Sequence, residues 1–130
     1  LFKKKNHFLE KDNFDHELVF VLETAQGLHI FCGCAHNGIL NTIATVKKYM
    51  GEKEIKTIFG GFHLTDRNEF FRTESFQEIK TIASEIIKMT NGAICYTGHC
   101  TGEKSFAVLS TVLNTQIRNL KTGSFIEIEE

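Results

Sequence analysis

Three of the six histidines share a setting that would do chemistry. His36 lies in Gly33-Cys34-Ala35-His36-Asn37-Gly38, His63 in Gly60-Gly61-Phe62-His63-Leu64, and His99 in Thr97-Gly98-His99-Cys100-Thr101-Gly102. Each follows a short apolar run (Leu28 to Phe31, Ile55 to Phe59 and Ala93 to Tyr96), and each has glycine nearby. Runs of that length and composition read as buried strands, and ligands bind beyond the carboxyl ends of strands in open α/β sheets. Glycine there lets the backbone turn tightly and approach a ligand. Neutral imidazole is the commonest metal ligand, and metal sites gather such groups from distant points in a chain. The repetition therefore predicts a metal or polar binding site rather than three unrelated solvated loop histidines. His7, His16 and His29 have no such setting; His29 falls inside a strand and is expected to be structural or exposed.

The cysteines offer two rival readings. Cys34-Ala35-His36 together with His99-Cys100 is a possible closed Cys2His2 zinc shell, although the Cys-x-His spacing is short for one and no Cys-x-x-Cys is present. Cys100, beside His99 at the start of a predicted helix, is in a setting that activates a thiol. Four cysteines are too sparse for a disulfide scaffold, and a Cys32–Cys34 bridge is not expected, so a reducing compartment and a cytoplasmic location follow as expectations.

The elements that must position these groups are legible. Leu18 to Leu22 and Leu28 to Phe31 flank a Gln26-Gly27 turn and predict an antiparallel hairpin. Ile39, Ile43, Val46 and Met50 recur at helical spacing up to Gly51. Ile55 to Phe59 predicts a strand stopped by Gly60-Gly61. Phe76, Ile79, Ile82, Ala83 and Ile86 form one helical stripe, with Ser75 and Glu78 spaced as a capping box, Thr73 as an equal candidate for the cap, and Asn91-Gly92 at its end. Ala93 to Tyr96 predicts a third strand of the same kind. Thr101 to Leu113 predicts a third helix with Phe106, Leu109 and Val112 inward, and Gln116 to Leu120 with Ser124 to Ile128 predicts a closing hairpin around Lys121-Thr122-Gly123. Only residues 1–17 lack an assignment and are taken as an irregular leading segment. The class is α/β, a mixed β-sheet with three helices.

Composition removes several functions. Fifteen basic against sixteen acidic residues, with no basic run beyond Lys3-Lys4-Lys5, give no electrostatic case for nucleic acid or an anionic membrane. No apolar run is long enough to span a bilayer. A hydrophobic content of 42% is too high for a disordered chain.

Taken in order, the three histidine motifs resemble those of the metallo-β-lactamase superfamily, and more narrowly its dihydropterin-ribofuranosylaminobenzene-phosphate synthase-like branch. The resemblance runs from about Asp12 to the C-terminus. It implies the C-terminal half of a four-layer αββα sandwich, with a metal site between the sheets at their shared edge. His36 and His99 match metal-ligand motifs. His63 falls near a motif that carries a bridging carboxylate in many members, and is implied as a substitute ligand or a catalytic, substrate-contacting group. Cys34, Cys100, Asp66 and Asn37 are possible accessories, Asp66 being the nearest carboxylate to that motif.

The superfamily's first signature, His-x-His-x-Asp-His, is not in this sequence; near Asp15-His16 the positions that should be histidine hold Lys11 and Asn13. With a start at Leu1, the chain is expected to be the second half of a larger domain. The resemblance implies zinc or another divalent metal, one or two ions in the complete protein with none in this piece as the alternative, and hydrolysis of an ester, amide or phosphoester-type small molecule. This piece alone is expected to be inactive. The alternatives are a non-catalytic module that binds a partner or itself through an exposed sheet face, giving a homo-oligomer, or a small structural Cys/His zinc domain.

Overall fold

The computed structural model describes residues 2–5, 8–66 and 73–129. Its main sheet has five strands, β3 (Val19–Thr24), β4 (Gly27–Cys32), β5 (Ile55–Gly60), β6 (Ile94–Thr97) and β7 (Ile117–Asn119), lying side by side in that order. Two short strands precede them, β1 (Phe2–Lys5) and β2 (Phe8–Lys11), which pair antiparallel as a separate ribbon. The leading segment expected to be irregular therefore holds two strands. Lysines interrupt its apolar pattern, so backbone pairing there leaves no period to read.

β3 and β4 form the expected antiparallel hairpin, and β4, β5, β6 and β7 run parallel. Three helices make the parallel crossovers: α1 (Ile39–Met50), α2 (Phe76–Thr90) and α3 (Glu103–Leu113). The strands follow one another across the sheet without reversal, and right-handed crossovers then stack every helix on the same face. The core agrees. Ile30, Ile58, Cys95 and Ile117 occupy one row of the sheet and share a buried cluster with Ile43 of α1, Ala83 and Ile86 of α2, and Leu109 of α3.

Neighbouring residues in each strand point the other way. Phe20, Phe31, Phe59 and Tyr96 are cross-strand partners in successive strands, and their rings follow at 5.6, 4.6 and 4.8 Å. This aromatic ladder lies on the face away from the helices, with Phe20 63% exposed at its end.

Helix ends follow the sequence. Ser75 accepts from the Glu78 N–H, while the Glu78 side chain accepts from the Ser75 N–H, completing the predicted capping box; Asn91 closes α2 in the left-handed region. α3 starts at Glu103 rather than Thr101, because Thr101 is used in the preceding loop.

The closing hairpin is not formed. Its turn exists, with the Ser124 N–H donating to the Lys121 carbonyl, but only Ile117–Asn119 is a strand, and 124–128 pairs with nothing as a strand. The tail instead returns to the β3–β4 turn, where Gln26 donates to Glu129 at 3.3 Å. Among the described residues no helix is long and apolar enough to cross a membrane.

His29 is structural. Buried in β4, its Nδ1 lies 2.8 Å from Thr57 Oγ1 and its Nε2 3.3 Å from Thr24 Oγ1. Burial, and then the Lys56 charge, push its pKa below the ordinary 6.5. Folding thus favours neutral His29, and its contribution is complete above about pH 6.5 and is lost as pH falls through the lowered native value. The denaturation midpoint is expected to fall on going from about pH 7 to 5, and less steeply in His29→Gln. Chemical denaturation of both proteins across that range checks it.

Candidate metal centre

The loops leaving β4, β5 and β6 all turn at the same edge of the sheet, and among the described residues each contains one non-glycine residue in the left-handed region: Ala35 (φ +51°), His63 (φ +52°) and His99 (φ +53°). Such residues are uncommon and concentrate where surroundings fix the backbone for a purpose. Here the fixing is done by bonds between loops. The Gly61 N–H donates to the Gly33 carbonyl at 2.8 Å, the Phe62 N–H to Thr101 Oγ1 at 3.0 Å, and the His63 N–H to Cys100 Sγ at 3.3 Å. Thr101 Oγ1 is in turn 2.7 Å from Thr97 Oγ1, both buried.

This lattice brings two of the three motif histidines together. The His36 and His63 rings meet edge to face, centroids 4.5 Å apart and planes at 80°, in a cleft of about 290 Å³ that also reaches Glu74 and Asn41. Phe14 stacks on His36 at 4.8 Å. His63 Nδ1 is buried and has no hydrogen-bond partner. Burial lowers the His63 pKa, the neighbouring His36 adds to this, and Glu74 and Glu17 oppose it. The imidazole is thus favoured in its neutral form, the form that ligates a metal.

His99 is exposed and faces a neighbouring cavity, which is lined also by Cys34, Gly61, Phe106 and Lys121. Among the described residues no three His, Cys, Asp or Glu side chains gather into a group able to hold a metal. His63 Nδ1 is the one of these ring nitrogens that is buried without a protein partner, whereas Glu17 approaches His36 Nδ1 at 3.4 Å; with their rings in contact, the two imidazoles fit a divalent ion as a partial donor set only.

The accessory residues are placed as follows. Cys100 donates to the Cys34 carbonyl at 3.5 Å while accepting from the His63 N–H, so its sulfur ties the loops together. Burial pushes its thiol up to about 11, and that of Cys32 likewise to about 11, so both are protonated at neutral pH. Cys34 and Cys100 do not join His36 and His99 in a closed shell.

Asp66 accepts from the Lys104 N–H at 3.1 Å and the Ser105 N–H at 3.2 Å, so its carboxylate caps α3. Asn37 is exposed; its N–H donates to Glu17 at 3.0 Å and its side chain to the Phe14 carbonyl at 3.4 Å. Glu17 escaped the sequence reading. Its signal was the hairpin register: with Val19 opposite Cys32, two residues further out Glu17 faces the Cys34 loop.

No family profile matches the chain. Its structure superimposes on the crystal structure of a metal-dependent hydrolase of the β-lactamase superfamily with a TM-score of 0.82 and 27% identity, over 99% of this chain and 47% of that one. The chain has the metallo-β-lactamase fold. In sequence, this metallo-β-lactamase-fold chain is similar to the 7,8-dihydropterin-6-methyl-4-(beta-D-ribofuranosyl)-aminobenzene-5'-phosphate synthase of Methanocaldococcus jannaschii. The two are 29% identical over 127 residues, which are 98% of this chain and 40% of the synthase. An uncharacterised protein of the same organism is 30% identical over 104 residues, 80% of this chain and 34% of that protein. The chain thus spans less than half the length of each of these three proteins, and the similarity agrees with the branch that its motifs resemble.

Proposed function

We propose that the chain forms the C-terminal half of a metal-dependent hydrolase that acts on an ester, amide or phosphoester-type small molecule. In that reading His36 and His63 are donors to a divalent ion, zinc or a metal of similar preference, and His99 faces the substrate cavity or completes the shell. The observation that carries it is the pairing of two imidazoles in edge-to-face contact, one with an orphaned buried nitrogen, at the strand edge of this fold. The chemistry such an ion supplies is a bound water with a pKa of about 7 and a polarised carbonyl or phosphoryl oxygen. The chain's own residues hold the ligands: Cys100 and Thr101 fix the His63 loop, and Glu17 and Phe14 fix the His36 ring. Further donors would come from the other half of the sandwich.

The aromatic ladder supports the same reading. Phe20, Phe31 and Tyr96 line a sheet face that the helices leave bare, and in a sandwich such a face packs on a second sheet. A second copy of this chain on that face is the reading that makes the protein a non-catalytic homo-oligomer; the exposed Phe20 and Leu18 favour it where the other half is missing.

The test uses the product of the whole gene, purified with its metal and assayed on chromogenic esters and phosphodiesters before and after chelation. Metal bound in simple proportion to protein, with turnover lost on chelation and restored by zinc or manganese, supports the hydrolase. A metal-free protein that forms dimers on light scattering and gains neither metal nor turnover on loading replaces that reading with the homo-oligomer.

A further inference from the structure

The Glu17 side chain does more than the loop needs. Only 13% exposed, its carboxylate accepts the His36 N–H through Oε1 at 2.5 Å and the Asn37 N–H through Oε2 at 3.0 Å, and its Oε1 also lies 3.4 Å from His36 Nδ1. The two backbone bonds alone would pin the loop after β4 to the strand before it. The third approach is of a different kind, because it sets a negative oxygen beside one particular nitrogen of an imidazole that has two. At that distance and burial a carboxylate favours the tautomer whose proton is on the nearer nitrogen. Phe14, stacked on the ring, and His63, against its edge, oppose a ring flip that would exchange the nitrogens. Burial works to raise the Glu17 pKa, but the Asn37 and His36 N–H groups and the His36 ring outweigh it, so the carboxyl stays charged at neutral pH.

We infer that Glu17 is a positioning residue: it places the proton of neutral His36 on Nδ1 and so presents the Nε2 lone pair for ligation. Carboxylates behind metal-bound histidines act this way in general, fixing tautomer and ring orientation. The inference rests on the proposed role of His36, but its test needs no metal. Nitrogen-15 spectra of the histidine rings, recorded on the metal-free chain at about pH 8, report which nitrogen of His36 carries hydrogen. The expected result is a His36 ring protonated on Nδ1, with Glu17→Gln and Glu17→Ala shifting it towards Nε2 protonation while the ring of His29 keeps its signals.

A His36 ring protonated on Nε2 in the unaltered chain overturns the inference, and that measurement requires no variant to fold. So does a folded Glu17→Gln chain whose His36 tautomer is unchanged, since the carboxylate would then only anchor the loop. Zinc added to the same samples separates the two claims. An Nδ1-protonated His36 whose signals ignore zinc leaves the positioning intact and removes the metal role.

Discussion

Replacing Gly60 by alanine is expected to destabilise the fold by about 3 kcal/mol or more and to disorder the His63 loop. Gly60 ends β5 with φ +147°, a conformation that side-chain-bearing residues rarely adopt. A methyl group there would lie 2.4 Å from the Cys32 carbonyl oxygen and 2.5 Å from Cys32 Sγ. The sulfur can rotate, but the carbonyl belongs to β4, held in the sheet between β3 and β5, and cannot retreat without parting the strands that carry His36 and His63. Gly33→Ala is the control. It sits at the same sheet edge with no atom near its would-be methyl and no positive φ, and should change stability by less than about 0.5 kcal/mol. Denaturant unfolding of the two variants checks both values.

The second large effect concerns the paired imidazoles. In the whole protein, His36→Ala or His63→Ala is expected to weaken metal retention by about 100-fold or more, beyond the range for losing an outer-shell partner. The rings touch, so each also orders the other, and the double variant should lose less than the sum of the two single losses. His99→Ala is expected to act differently if His99 faces substrate: the metal stays and turnover falls. Metal content after dialysis against a graded chelator series distinguishes them.

Much of this was legible in the residues because the information is local. The apolar rows of β4, β5 and β6, the stripe Phe76 to Ile86 and the Ser75–Glu78 box each specify their element within a few neighbours. The histidine motifs were visible because all three lie at strand ends, which a sequence can mark. Which of them meet was not visible, since it depends on how three loops leave the sheet, and that is set by bonds such as His63 N–H to Cys100 Sγ across 37 positions. Glu17 reaches His36 from 19 positions away for the same reason.

In the sequence Asp66 is the carboxylate nearest the His63 motif and a possible accessory to the site. The free N–H groups at the start of α3 are the stronger local attraction for it. The closing hairpin failed because a turn at Lys121 to Ser124 does not specify that the next residues will find a ladder; the tail took the route to Gln26.

The central claim is that His36 and His63 act as one pair of donors toward a divalent cation. The most direct test is a zinc titration of this chain followed through the ring nitrogens of all its histidines. His36 and His63 are expected to move first and together, with weak affinity because no third such donor joins them among the described residues, while buried His29 is unmoved. Tight stoichiometric zinc that leaves those two rings unmoved, or a titration in which they do not respond, would contradict it.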